Sequence, residues 1–236
     1  MTGRRIALVT GADKSIGLET ARSLARMGMT VYLTSRNAET TLAAAEGLAG
    51  EGDVRGRRLD VTDEASMREV LEEIEGAHGV LHVLVNNAGR APEPKRVLDV
   101  DPREVRDILE INLHGPVRLT QLAAPLLRKS GAGRVVMVTS GASRFGYLSD
   151  PERPKPYAYC LSKVGMNAAT LMLADALRAD GVKVNAVNPG YVMSAVSFFR
   201  GTRTPEEGAA VVVKYATLAD DGPTGGYFDE NGPQRW

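Results

Sequence analysis

The chain has 236 residues, 43% of them hydrophobic, and its 29 basic and 29 acidic side chains leave no formal net charge. That length suits one large α/β domain with a full core, and the balanced charge excludes a basic field that would gather nucleic acid. Cys160 is the single cysteine, which excludes an intramolecular disulfide and a cysteine-cluster metal site, and no apolar run reaches membrane-spanning length.

The apolar run Ile6-Ala7-Leu8-Val9 ends in Thr10-Gly11-Ala12-Asp13-Lys14-Ser15-Ile16-Gly17, and a helical pattern follows from Leu18 to Met27. A helix that starts there aims unpaired N–H groups and its positive dipole end above the strand, which suits a pyrophosphate. Further strands are expected near 30–35, 55–60, 81–86, 133–139, 182–188 and 226–229, after a first near 5–10. Helices are expected near 15–28, 38–49, 63–76, 102–128, 157–180 and 205–216. The runs Leu81-His82-Val83-Leu84-Val85 and Val135-Val136-Met137-Val138 are apolar on both faces, as in a parallel sheet covered on each side. The alternation implies a single-domain, Rossmann-type doubly wound parallel sheet of about seven strands over residues 1–236, with ligands at the carboxyl ends of the strands. Met1 leads into a strand rather than a signal peptide, so a soluble cytoplasmic protein is the simplest expectation.

Tyr159-Cys160-Leu161-Ser162-Lys163 puts a phenol and an ammonium one helical turn apart on one face. A neighbouring positive charge favours the phenolate, and so brings a tyrosine toward acid–base work near neutral pH. Asn112 lies in an apolar helical pattern, and in an α-helix its carbonyl would receive the N–H of residue 116, which is proline and has none. Its carbonyl is therefore expected to lack the usual donor beside a kink.

Thr10 to Gly17, Asn86-Asn87-Ala88-Gly89, Asn112, Ser140, Tyr159…Lys163 and Pro189-Gly190 occur in this order across essentially the whole chain. Together they resemble the classical branch of the short-chain dehydrogenase/reductase family. The tail from Thr204-Pro205-Glu206-Glu207-Gly208 to Trp236 is most similar to its carbonyl reductase subgroup. The resemblance implies a nicotinamide-dependent oxidoreductase. Tyr159 is then the general acid, Ser140 (rather than Ser143) the donor to the substrate carbonyl, and Lys163 the group that lowers the phenol pKa and binds the nicotinamide ribose. The Asn112 carbonyl would hold a relay water, which Pro116 would help to keep open; the alternative is that Gly115-Pro116 only bends the helix.

The same resemblance assigns the dinucleotide to Gly11, Lys14, Ser15, Ile16, Gly17, Arg36, Asp60, Val61, Asn87, Ala88, Gly89, Tyr159, Lys163, Pro189, Gly190, Val192 and Ser194. Asp60 has an alternative as a helix cap before Thr62-Asp63-Glu64. Ser15 stands where the family has glycine; its Cβ should keep the backbone out of the left-handed region, while its hydroxyl could reach a phosphate. At the end of the second strand there is no carboxylate; Arg36 and Lys14 instead point to NADP(H) over NAD(H). Phe145, Tyr147, Tyr191, Phe198 and Phe199 fall in loops at the expected rim and form the candidate substrate pocket. The expected reaction is reduction of a ketone or aldehyde, with no metal. Alternatives are reduction of an imine or activated C=C bond, alcohol oxidation, and a dinucleotide-sensing module without catalysis. The apolar segment Val164 to Leu177 needs cover on more than one face. In the family the chain resembles, this helix and the one near 102–128 commonly pair between chains, and the 141–158 segment is shorter than the insertion that blocks this surface in monomeric carbonyl reductases, so the resemblance implies a homodimer or homotetramer.

Overall fold

The computed structural model describes residues 4–236. Its first strand, β1 (Ile6–Thr10), is buried along its whole length, and the turn after it feeds α1 (Ser15–Arg26). Next come β2 (Thr30–Ser35), α2 (Ala38–Glu46), β3 (Asp53–Arg58), α3 (Glu64–His78) and β4 (Val83–Asn86). The second half runs α4 (Pro102–Leu109), a π-helical turn at Glu110–His114, α5 (Gly115–Lys129) and β5 (Arg134–Val138). The chain then forms α6 (Phe145–Ser149), α7 (Tyr157–Ala176), β6 (Lys183–Val187), α8 (Pro205–Ala216), β7 (Tyr227–Asp229) and β8 (Gly232–Pro233).

The strands form one sheet in the order β3-β2-β1-β4-β5-β6-β7-β8. All neighbours are parallel except β7 and β8. Side chains alternate across the pleat, so each strand feeds two cores. Leu8, Tyr32, Leu84, Val135 and Met137 pack with α3, α5 and α7 on one face. Ala7, Val9, Val31, Leu33, Val85, Val136 and Val138 pack with α1 and α8 on the other. Each fully buried Leu or Val contributes on the order of 1.5–3 kcal/mol, so these strands are the least movable part of the molecule. The order reverses between β1 and β4, and that crevice is where a doubly wound sheet binds its ligand.

Four of the helices begin with a side-chain cap. Asn37, Asp63, Asp101 and Thr204 accept from first-turn amides of α2, α3, α4 and α8. At α8 the cap is reciprocal, with the Thr204 N–H donating to Glu207 at 2.8 Å. By contrast α1 has no side-chain cap and no acidic residue in its first turn.

Four expectations shift. β3 begins at Asp53, two residues before the anticipated strand, because it is a charged edge strand with a single neighbour and little apolar pattern to read. The small antiparallel strand β8 at Gly232–Pro233 was not anticipated, nor was the short helix α6, which carries Phe145 and Tyr147 where a loop was expected. The long helix expected over 102–128 is interrupted at Glu110–His114, where the Gly115 N–H donates to the Glu110 carbonyl, five residues back. Pro116 cannot continue an α-helical ladder, and the wider turn absorbs the mismatch. In that register the missing N–H of residue 116 would have served Ile111, so the α-helical argument does not carry over to the Asn112 carbonyl.

Candidate active site

The turn after β1 and the end of β4 are welded together. The Thr10 hydroxyl accepts from the backbone N–H groups of Asn87 (3.1 Å) and Ala88 (3.0 Å) and donates to the Val85 carbonyl. The Asn87 amide returns the contact, donating to the carbonyls of Thr10 and Gly11, both at 2.9 Å. Gly11 has φ +60°, and a Cβ there would stand 2.8 Å from the Ala88 Cα. A Cβ on Gly17 would stand 2.4 Å from the Gly11 carbonyl oxygen, so only glycine lets α1 approach this closely.

The expectation for Ser15 is overturned. Its φ is +52°, the left-handed conformation that its Cβ was expected to avoid. Two neighbours forced to pack tightly, Gly11 and Gly17, leave the backbone between them little choice. The Ser15 hydroxyl is buried and has no hydrogen-bond partner. Lys14 and Arg36 are exposed at the same edge, and no ion pair to Arg36 occurs among the described residues.

On the other side of the crevice Ser140 lies two residues beyond the end of β5, and α7 carries Tyr159 and Lys163. Lys163 is buried, and its Nζ donates to the Val138 carbonyl at 2.8 Å. The same nitrogen lies 5.9 Å from the centre of the Tyr159 ring. Asn112 is fully buried: its Oδ1 accepts from the Arg90 N–H at 2.8 Å, and its Nδ2 donates to the Arg90 carbonyl and the Ser162 hydroxyl. A Cβ on Gly89 would fall 3.4 Å from Asn112 Oδ1 and 3.7 Å from Lys163 Nζ, so these three residues converge.

Electrostatics differ from the expectation of a lowered phenol. Burial pushes Tyr159 up to about 12, against a smaller opposing effect of its hydrogen bond with Ser140. Burial also brings Lys163 down to about 8. Desolvation is the leading cause for both groups, because both are removed from water.

Ser143, the alternative to Ser140, is committed elsewhere. It is buried, its hydroxyl donates to the Ser140 carbonyl, and it accepts from Asn167 Nδ2 at 2.8 Å. Asp60 does not cap α3, which Asp63 does; the Asp60 carboxylate instead accepts from the Thr62 N–H and hydroxyl. Val61 is buried beside Gly115. After β6, Gly190 turns at φ +83° with its N–H on Asn188, Val192 is buried and bridges to Arg203, and Ser194 leads a short turn held by Ser197. Pro189 lies within this same turn.

Of the aromatic residues, Tyr147 is close enough to Tyr159 and to Tyr191 for their charges to be felt. Phe145, Tyr191, Phe198 and Phe199 are exposed, the last two both in the left-handed region. A cavity of about 630 Å³ opens at the opposite, amino edge of the sheet, lined by Arg4, Thr30, Asp53, Arg55, His78 and His82. Its Asp53, Arg55, Thr30 and His78 already bond among themselves or to Tyr32, so it offers few free groups.

Residues 5–202 match the family model described as short chain dehydrogenase. The chain belongs to that family. Among curated relatives, this dehydrogenase is 31% identical to (-)-isopiperitenone reductase of Mentha piperita, over 95% of the chain and 96% of the relative. It is 31% identical to (+)-neomenthol dehydrogenase of Arabidopsis thaliana, over 95% of each. The alignment with the Mentha reductase runs over 303 positions, more than the chain contains, so that relative carries insertions which this dehydrogenase lacks. Among solved structures, salutaridine reductase from Papaver somniferum superposes with a TM-score of 0.84 at 29% identity, covering 96% of this dehydrogenase and 100% of the other chain. A metagenomic short-chain oxidoreductase in complex with NADP superposes with a TM-score of 0.78 at 30% identity, covering 92% and 93%. The dehydrogenase is therefore an enzyme, an oxidoreductase of a family that works with nicotinamide dinucleotides.

The structure adds residues that the sequence did not single out: Thr10, Ser162, Asn167 and Tyr227. Asn167 was within reach of helical spacing, since it lies four residues beyond Lys163 on the same face of α7. Tyr227 gave no local signal, being 87 residues from the Ser140 carbonyl that its hydroxyl contacts.

Proposed function

We propose that this enzyme reduces a ketone or aldehyde to an alcohol with NADPH, the whole chain 1–236 acting as one catalytic unit. The observation that carries the reading is the buried Tyr159 phenol beside Ser140, with Lys163 buried behind it. Burial keeps the phenol protonated, which is the state a general acid needs when an alkoxide develops. The Ser140 hydroxyl accepts from the Ala142 N–H at 3.2 Å, which leaves its own proton to orient the substrate oxygen. Tyr159 then gives its proton to that oxygen. Lys163 stands over the phenol with its charge held by the Val138 carbonyl, where it favours refilling of the proton. Asn112 fixes the Gly89-Arg90 loop against α7 through Ser162.

The residues fit a dinucleotide. The uncapped start of α1 offers free amides without a competing carboxylate, and the Ser15 hydroxyl there has no partner. Gly11, Lys14, Ser15, Ile16 and Gly17 would hold the pyrophosphate side; Arg36, Asp60 and Val61 the adenosine side; and Asn87, Ala88, Gly89, Pro189, Gly190, Val192 and Ser194 the nicotinamide side. Such a cofactor supplies the hydride. The absence of an acid at Arg36 supports NADPH. Phe145, Tyr147, Tyr191, Phe198 and Phe199 would form an apolar substrate rim. No helix among the described residues is long and apolar enough to cross a membrane, in keeping with the proposed cytoplasmic setting.

The test follows nicotinamide absorbance over a panel of cyclic ketones, enones, aryl ketones and aldehydes, with NADPH and NADH. Tyr159→Phe is expected to lower turnover by about 10²-fold or more. Ser140→Ala should be similarly impaired and Ser143→Ala much milder. Arg36→Ala should weaken NADPH far more than NADH. Near-normal turnover of Tyr159→Phe would rule out the mechanism, and equal affinity of the unmodified enzyme for both cofactors would rule out the preference.

A further inference from the structure

Tyr227 opens β7 and is 2% exposed, yet it ends in a hydroxyl. That hydroxyl donates to the Ser140 carbonyl oxygen at 3.2 Å. Ser143 donates to the same carbonyl, receives Asn167 Nδ2 at 2.8 Å, and Asn167 Oδ1 in turn receives the Thr139 hydroxyl at 2.8 Å. The peptide that follows Ser140 is thus gripped from two sides, by the α7 network and by the C-terminal hairpin. The Tyr227 backbone is held by its pairing with Ala186 in β6, and its ring by Trp236, stacked on it at 5.6 Å between centroids and 23° between planes.

We propose that Tyr227 is a positioning residue for Ser140, aiming its hydroxyl at Tyr159 through the grip on the Ser140 carbonyl; this rests on the catalytic reading of Ser140 above. The physical link is the backbone. Ser140 is the last residue before the turn Gly141–Ser143, with φ −159° and ψ 152°. The β5 ladder fixes the chain before it, and the two hydrogen bonds fix the peptide plane after it. With both planes fixed the Cα–Cβ direction has no freedom left, and the Ala142 N–H on Oγ at 3.2 Å selects the rotamer. Catalytic groups tolerate only about 0.5 Å of misplacement, and about 1 Å can cost on the order of 10²-fold. A buried hydroxyl that served packing alone would be replaced by phenylalanine without functional loss.

Tyr227→Phe removes only the oxygen and keeps the ring, its burial and its stacking with Trp236. The experiment is a double-mutant cycle with Ser140→Ala, read as kcat and KM on the fastest carbonyl of the panel, together with a crystal structure of Tyr227→Phe. The expected result is a kcat lower by roughly tenfold with the NADPH KM unchanged, no further loss when Tyr227→Phe is added to Ser140→Ala, and a Ser140 hydroxyl displaced from Tyr159. An equal loss in both backgrounds marks a merely structural role and overturns the proposal, as does an unmoved Ser140 or an unchanged kcat. Wild-type turnover of Ser140→Ala alone defeats the catalytic reading first, and the proposal falls with it.

Discussion

Ser15 sits in the glycine turn with φ +52° and a buried hydroxyl that no group satisfies. A left-handed conformation costs a residue with a Cβ roughly 1–2 kcal/mol, part of which glycine gives back through the entropy of the unfolded chain. Ser15→Gly is therefore expected to stabilise the protein by about 0.5–1 kcal/mol in urea unfolding; a destabilised variant would show that the hydroxyl has a partner in solution. Lys163 makes a second prediction at this scale. Its pKa falls from an ordinary 10.5 to about 8 on folding. Between these values the unfolded chain holds a proton that the native protein has released, so stability rises with pH across that window; below it the group adds no pH dependence, its full burial penalty being present. The slope is at most about 1.4 kcal/mol per pH unit. Tyr159 acts in the opposite sense, since its pKa rises from 10.0 to about 12, and so it lowers stability in that higher window. As pH rises from about 8, the unfolding free energy of the unmodified protein should increase relative to that of Lys163→Met; parallel curves would show that Lys163 is not desolvated.

The elements are placed by close backbone approaches as much as by side-chain packing. Gly115 begins α5 directly against the loop after β3, and a Cβ there would lie 2.2 Å from the Val61 carbonyl oxygen. Nothing flexible stands in that contact, so α5 and the π-helical turn would have to move. Gly76, near the end of α3, is exposed, with nothing within 4 Å of its Cβ position. Gly115→Ala should thus cost roughly 1–3 kcal/mol or more, as overpacking does, whereas Gly76→Ala should stabilise by up to about 1 kcal/mol through helix propensity. The contrast is read by thermal or denaturant unfolding, and a tolerated Gly115→Ala would contradict this packing of α5 on Val61. The same interruption shows why a periodic pattern alone misleads. The apolar spacing from Val105 to Leu119 continues through the π-helical turn, with Ile108 buried before it and Leu119 buried after it.

For the molecule as a whole, the open question is assembly. The α7 surface leaves Leu161, Leu171 and Met172 exposed, Met172 at 71%. These residues lie away from the stripe of α7 that packs on the sheet, and water is a poor neighbour for them. A homodimer or homotetramer built on α7 is expected, with a mass by light scattering of at least twice that of the 25.2 kDa chain at micromolar concentration. Met172→Lys should shift it toward the monomer while leaving the far-ultraviolet circular dichroism unchanged. A monomeric unmodified protein would mean that this face is simply solvated.

Much of the fold was legible because it rests on local repetition. Apolar runs such as Val135-Val136-Met137-Val138 can be satisfied only between two helical layers, and their alternation with helices dictates a parallel, doubly wound sheet. Arg36 at the end of β2, and Tyr159 and Lys163 one turn apart, were likewise visible as residue types at fixed spacings. What only the tertiary structure decided depends on groups far apart in the chain. The edge position of β3 hid the charged start of that strand, and the crowding of Gly11 and Gly17 forced Ser15 across the φ boundary. Burial reversed the expected direction for the Tyr159 phenol, since desolvation is a property of the surroundings and not of a neighbour four residues away. The grip of Tyr227 on Ser140 joins two segments 87 residues apart, and only the folding of β7 beside β6 brings that hydroxyl to that carbonyl.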